Sequence, residues 1–238
     1  MHSCVSFLPP VENAFVQQRK LDSVIFHSGR KLKMYTSKES NILDKHEIRT
    51  YIKDLINKNI STFSSSSRMI CKKIIASEEY KKASEIYAYM ALFDEVNLTD
   101  VIKQAIRDGK KVALPKIISK DEGIMEFYYL DSQKALTEQT SGGAYGILEP
   151  DETLPASPNP DSHTLILVPG RAFTKDGARL GRGKGYYDRF LAKEIVGSSP
   201  TMTRLPNVTV AGVCFGFQVL PELPTDPNDV KMDIILQG

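Results

Sequence analysis

Residues 165–191 read LILVPGRAFTKDGARLGRGKGYYDRFL. Leu165, Ile166, Leu167 and Val168 form a short aliphatic run closed by Pro169 and Gly170, the pattern of a buried strand. Tyr187, Phe190, Leu191 and Ile195 recur at helical spacing and predict one apolar face of a helix. Between the two, Gly181, Gly183 and Gly185 alternate with Arg182 and Lys184. Glycines permit positive φ and close backbone approach, a helix start offers unpaired N–H groups, and two cations add attraction. The stretch therefore predicts a cradle for phosphate or another anion; a tight turn with solvated charges is the plain alternative. Lys184 is followed by Gly185 and not by Ser or Thr, so this is no Walker A loop, and the spacing also departs from the dinucleotide fingerprint.

Working outward, helical and strand patterns alternate from Asp44 onward. DKHEIRTYIKDLINKN places Ile48, Ile52, Leu55 and Ile56 on one stripe with Asp44 as N-cap. A second helix is expected over about Ser67–Ala76, after the serine run, and EIYAYMAL (85–92) reads as a buried strand. Thr99–Arg107 predicts a helix begun by Thr99 or Asp100 and followed by Gly109. KVALPKI and MEFYYL predict strands, and Glu149–Ser162 a proline-rich surface connector. VTVAGVCFG and MDIILQ complete the strand set near the C-terminus. Strands separated by helices imply an α/β domain with a largely parallel or mixed sheet. Ligands of such sheets gather at the carboxyl ends of the strands, which is where the glycine loop falls.

Composition bounds the function. In 238 residues, 31 basic against 29 acidic groups leave a net charge of +2, too even to predict a nucleic-acid groove or a membrane-binding surface. Cys4, Cys71 and Cys214 are odd in number and far apart, which suggests neither a disulfide framework nor a zinc site and fits a reducing compartment. His2, His27, His46 and His163 are scattered, and no apolar segment approaches the roughly 20 residues that span a bilayer. Residues 1–43 show no sustained period and are read as an appendage, flexible or targeting; residues 44–238 form the folded domain. The basic and hydroxyl residues of the appendage faintly resemble an organelle transit peptide, but Glu12 and Asp22 spoil its acid-poor signature. The expected location is cytoplasmic, with a mitochondrial one as the alternative.

RLGRGKGYYDRFL, preceded by PGRAF and followed by NDVKMD, resembles the 5-formyltetrahydrofolate cyclo-ligase family, also called 5,10-methenyltetrahydrofolate synthetases. The resemblance runs from about Lys45 to the C-terminus. It implies a three-layer α/β/α sandwich and an enzyme that uses ATP as co-substrate and magnesium to turn 5-formyltetrahydrofolate into 5,10-methenyltetrahydrofolate. It further implies small-molecule partners only, a monomer, and no nucleic acid or membrane partner. Within the resemblance, Arg179, Gly181, Arg182, Gly183, Lys184, Gly185, Tyr186 and Tyr187 hold nucleotide phosphates, Lys184 and Arg182 acting on the transferring group. Lys45 and Arg49, four apart on the first helix, contact ATP; on spacing alone they are snorkelling side chains. Asp188 and Asp229 are the implied magnesium ligands, with Asp233 a weaker candidate, while the residues alone read equally as a first-turn and a turn-forming aspartate. Glu95 is implied to take the pterin, beside Asp94, with Met90 and Phe93 walling the pocket, although such side chains are more commonly core. Lys184 and Tyr187 are implied to touch the folate as well.

Two positions depart from the family pattern: Arg171, where a small or aliphatic residue is usual, and Thr174, where an acid is usual. An added charge at Arg171 is expected to attract the glutamate tail of a folate. The alternatives are a catalytically silent nucleotide- or folate-binding relative and a different small-molecule enzyme, such as a sugar-phosphate isomerase, on a similar fold.

Overall fold

A computed structural model describes residues 43–157, 160, 163–193, 205 and 207–238, together with two short strands before them. These strands, β1 (Val24–His27) and β2 (Arg30–Lys33), pair antiparallel within an amino-terminal unit, Met1–Leu43. The flexible or targeting character expected for 1–43 otherwise lies outside the described residues, as does Ile195 of the expected helix face.

The second unit, Asp44–Gly238, opens with α1 (Lys45–Asn59). Asp44 caps it as its sequence predicts: its carboxylate accepts from His46 N and Glu47 N, while the Glu47 side chain accepts from Asp44 N. Ile48, Ile52 and Ile56 are buried, the stripe the spacing predicts. A 3₁₀ turn at 60–62 leads into α2 (Phe63–Ala76), which takes in the whole serine run. Serine is a weak helix former, but Ser67 is buried and its hydroxyl accepts from Asn97 N, so tertiary contact overrides propensity. A short α3 (Glu78–Lys82) precedes β3 (Glu85–Tyr87). The strand expected over 85–92 thus stops at Tyr87, with one further bond from Ala88 N to Ala113 O before 88–92 leave the ladder. α4 (Thr99–Arg107) ends before Gly109, whose φ is +72°, as expected; its start is held by Asn97 Oδ1, which accepts from Thr99 N.

β4 (Lys111–Ser119) and β5 (Ile124–Tyr129) form an antiparallel hairpin. Next comes a second, smaller hairpin, β6 (Thr140–Gly142) with β7 (Leu148–Pro150), which the sequence reading did not anticipate. Glu149 and Pro150 are buried in it, so the expected surface connector begins inside the fold. β8 (Thr164–Pro169) is the aliphatic run. A third hairpin, β9 (Ala172–Phe173) with β10 (Arg179–Leu180), follows it and presents the glycine loop to α5 (Tyr186–Leu191). The loop therefore comes from this hairpin and not from the end of β8. β11 (Val208–Cys214) and β12 (Ile234–Gln237) finish the unit.

Six strands join in the order β12-β11-β8-β3-β4-β5, all parallel except the edge strand β5. One face of this mixed sheet carries Tyr87, Ala113, Ile166, Val168 and Val210, packed with Phe127, Phe190 and Leu191 beneath α5. The alternate residues, including Ile86, Val112, Leu165, Leu167 and Ala211, are equally buried on the opposite face, against which α2 and α4 lie. The architecture is the three-layer α/β/α sandwich. From β3 the chain moves to β4 on one side, then returns to β8 on the other, so the topological switch point lies between β3 and β8. A crevice opens there, outside the carboxyl ends of the strands.

Candidate functional site

That crevice is a cleft of about 450 Å³. Tyr89, Met90, Leu92 and Glu95 enter it from the chain after β3, Pro169 and Gly170 from the end of β8, and Arg179, Gly181, Arg182, Lys184 and Gly185 to Asp188 from the glycine loop and its flanks. Pro115 of β4 borders it as well. β3 pairs with β4 only as far as Ala113, so beyond that point the sheet needs no N–H from Pro115.

The loop takes the backbone its glycines allow: φ is +101° at Gly183 and +70° at Gly185, the latter being the residue before α5. α5 is described over only six residues, so attraction for an anion rests on side chains and loop backbone more than on a helix dipole. Lys184 lines the cleft and makes no ion pair with a described residue. Arg179, with its side chain 4% exposed, pairs with Asp188 at 2.8 Å and reaches Pro169 O at 3.3 Å, and its guanidinium lies 5.8 Å from the Tyr187 ring centre.

Arg182 is gripped by adjacent acids. Its Nη2 donates to Asp94 Oδ1 in a very short contact, and its Nε donates to Glu95 Oε1 at 3.0 Å. Glu95 Oε2 accepts from Leu92 N at 3.0 Å. Asp94, 3% exposed, also receives Arg171 Nη1 at 2.5 Å. Burial alone would raise the Asp94 carboxyl, but the two guanidiniums outweigh it and hold the group below its ordinary value. Burial likewise opposes the charge on Arg182, yet Glu95 and Asp94 raise its affinity for the proton. The expectation of a free charge at Arg171 for a glutamate tail is corrected here: its guanidinium is engaged by a buried acid, and it does not line the cleft. Thr174 is buried in the β9–β10 turn, where its hydroxyl accepts from Ala178 N and donates to Asp176.

α1 flanks the loop from outside the cleft. Arg49 Nε donates to Gly181 O at 3.0 Å, and one turn earlier Lys45 Nζ pairs with Asp229 at 2.5 Å and Asp226 at 2.8 Å. Burial lowers the proton affinity of Lys45, and the two aspartates more than restore it. Arg49 thus adjoins the loop and Lys45 meets Asp229 one turn away, and neither these three nor Gly183 of the loop lines the cleft. The remaining sequence-predicted site residues, Met90, Glu95, Arg179, Gly181, Arg182, Lys184, Gly185, Tyr186, Tyr187 and Asp188, all line it. Phe93 does not; it is 75% exposed. Asp233 belongs to the sheet, where it accepts from Val210 N. Tyr187 combines both readings of its position, packing on the core beneath α5 while facing the cleft; burial raises its hydroxyl pKa.

Sequence reading missed Tyr145. It sits in the β6–β7 turn at φ +58°, lines the cleft, and its hydroxyl lies 3.2 Å from that of Tyr186. Desolvation and this contact push the Tyr186 hydroxyl up to about 12. The flanking Gly143 and Gly146 were the available signal for a turn, but nothing in the sequence indicates where that turn lands.

The residues suit an anionic ligand. A side-chain Cβ at Gly181 would sit 2.9 Å from Arg179 Nη1, so the loop backbone closes on that cation, and Arg179 Nε is buried without a hydrogen-bond partner among the described residues. For a divalent metal, Asp188 and Asp229 offer hard oxygens, although each already pairs with a cation. Among the described residues no three His, Cys, Asp or Glu side chains cluster to hold a metal unaided, and no described helix is long and apolar enough to cross a membrane.

Fold and site together define a class: an α/β protein whose sheet switch point carries a cationic, glycine-lined cleft with an acidic wall. A sequence profile of the 5-formyltetrahydrofolate cyclo-ligase family matches residues 41–238, and the chain belongs to that family. It is 32% identical over 199 residues to a probable 5-formyltetrahydrofolate cyclo-ligase of Schizosaccharomyces pombe, covering 82% of this chain and 95% of that protein. With the Mus musculus 5-formyltetrahydrofolate cyclo-ligase it shares 31% over 172 residues, 71% of this chain and 81% of the other. An NMR structure of 5,10-methenyltetrahydrofolate synthetase from Aquifex aeolicus superposes with a TM-score of 0.63 at 29% identity, covering 81% and 89% of the two chains.

Proposed function

We infer that this protein converts 5-formyltetrahydrofolate to 5,10-methenyltetrahydrofolate with ATP and magnesium, releasing ADP and phosphate. The observation that carries the reading is one cleft uniting an unpaired loop cation, Lys184, with a carboxylate wall, Glu95, at the sheet switch point. A formyl oxygen on N5 is a poor leaving group. Attack of that oxygen on the terminal phosphorus forms a new P–O bond as the bond to ADP breaks. N10 then adds to the activated carbon, its proton passes to solvent, and the C–O bond breaks to release phosphate.

Such a transfer needs positioning and charge neutralisation more than a protein nucleophile. Lys184 and Arg182 offset the charge that develops on the phosphoryl oxygens, and the backbone from Gly181 to Gly185 lets them approach closely. Arg179, Tyr186 and Tyr187 complete the phosphate-facing wall, and Lys45 and Arg49 contact ATP beyond the cleft, from the flank of the loop. Glu95 accepts paired N–H bonds of the pterin, and Met90 and Tyr187 supply its apolar walls. Asp188 and Asp229 would hold magnesium, which would supply positive charge against the phosphate oxygens.

The protein is assigned to the cytoplasm as a monomer, with the mitochondrion as the alternative location. The free, buried Cys71 and Cys214 support a reducing compartment. The test follows methenyltetrahydrofolate absorbance with purified protein and 5-formyltetrahydrofolate. Product only when ATP and magnesium are both present supports the reading; folate binding without turnover would make the protein a silent relative instead.

A further inference from the structure

The cluster behind the cleft has two cations and two acids, and its two acids are not equivalent. Glu95 faces the cleft, whereas Asp94 is 3% exposed and touches no part of it. Arg182 makes one bond to each. Guanidinium and carboxylate ordinarily prefer the two-bond, fork-to-fork pairing. Here Asp94 Oδ2 accepts from Arg171 Nη1 at 2.5 Å, and Arg182 reaches only Oδ1, with the Arg171 guanidinium standing on the Oδ2 side. Arg171 in turn is fixed at its backbone: its N–H donates to Leu180 O at 2.7 Å, and its carbonyl accepts from the buried Gln218 side chain at 3.0 Å. It is thus anchored at the base of the glycine loop and has little freedom to leave Asp94.

We propose that Arg171 and Asp94 are positioning residues for Arg182: by occupying one oxygen of Asp94, Arg171 keeps the Arg182 guanidinium divided between Asp94 and Glu95. This rests on the folate reading of Glu95. When the pterin N–H groups claim Glu95, Arg182 gives up a single bond there, stays tethered to Asp94 by the other, and turns its freed Nε toward the transferring phosphoryl group. Without Arg171, Asp94 offers both oxygens, and Arg182 sinks onto it in the two-bond pairing, away from the cleft. Arg171 thereby acquires a role without touching substrate.

The test compares wild type with Arg171→Leu, Arg171→Lys and Asp94→Asn. Arg171→Leu is expected to lower kcat about tenfold with the folate KM changed less than about twofold, since a guanidinium misplaced by about an ångström costs one to two orders of magnitude in rate. Arg171→Lys, which returns a donor to Asp94 Oδ2, is expected to recover most of the loss; a merely structural role would show no such rescue at equal stability. Arginine modification by phenylglyoxal, read at Arg182 by peptide mass spectrometry without any ligand, gives a readout independent of turnover. Arg182 should label more slowly than wild type in Arg171→Leu and faster in Asp94→Asn. Unchanged Arg182 labelling in Arg171→Leu overturns the proposal, and if Asp94→Asn does not fold, that variant alone decides. Absence of turnover in wild type would instead strike the folate reading and leave the labelling result standing.

Discussion

Lys184 brings into the cleft a cation that no described acid neutralises, so its removal takes charge from the ligand and leaves the protein's own pairs intact. Lys184→Ala is expected to lower kcat by about 10²- to 10³-fold while the melting temperature stays put, as steady-state kinetics and calorimetry will report. Asp188 is different, because Arg179, with its side chain 4% exposed, depends on it. Asp188→Asn is expected to raise the magnesium concentration needed for half-maximal rate and to cost about 2 kcal/mol of stability, measured by urea unfolding. Asp94 gives a pH signature. Its folded carboxyl lies below the ordinary 3.8, so its stabilisation is complete above that value and lost as pH falls through the lower folded one. The stability gap between wild type and Asp94→Asn should therefore be flat at neutral pH and close below about pH 3.8. Lys184 and Asp188 were legible as site candidates from the quoted motifs, and Glu95 only through the family resemblance. Tyr145 and the pairing of Arg171 were not, because each depends on where a loop lands in space.

At the scale of elements, α1 serves both stability and site, since its apolar stripe faces the core while Lys45 and Arg49 meet the 226–229 turn and the glycine loop. Loss of its cap in Asp44→Ala is expected to cost about 1 kcal/mol, and Ile52→Ala, at a fully buried position, about 2–5 kcal/mol; urea midpoints measure both. If the cap also holds Lys45 in register, Asp44→Ala will raise the KM for ATP, whereas an unchanged KM would confine Asp44 to stability. The helix was readable because its cap and its periodicity agree. The strand over 85–92 was over-extended because burial persists through Tyr89 while the ladder to its neighbours stops at Tyr87. An aliphatic and aromatic run records burial, not pairing. The opposite error, starting α2 at Ser67, came from propensity; Phe63 at the true start of the helix is buried, and that tertiary contact carries Ser64–Ser66 into the helix.

At the largest scale, the 44–238 unit buries both faces of its sheet, and its two thiols, Cys71 and Cys214, report on that burial. Burial raises Cys71 to about 11, with Asp100 adding to the shift, and Cys214, in the core cluster beneath α5, to about 12. Both are expected to resist a thiol reagent at pH 8 until the domain opens, so their labelling rate should follow the unfolding equilibrium across a urea series. Rapid labelling of either in native buffer would contradict this. By itself, the sequence determined the alternation of the main strands and helices, the α/β class and the glycine loop as the candidate anion site, because those follow from periods and turn residues within a few positions of one another. Only the tertiary structure decided that Arg182 rests on Asp94 and Glu95, that Lys45 meets Asp229, and that Tyr145 stands over Tyr186. Those contacts join residues far apart in the chain, and they exist because strand order, which no local pattern encodes, brings distant segments together at and around the crevice.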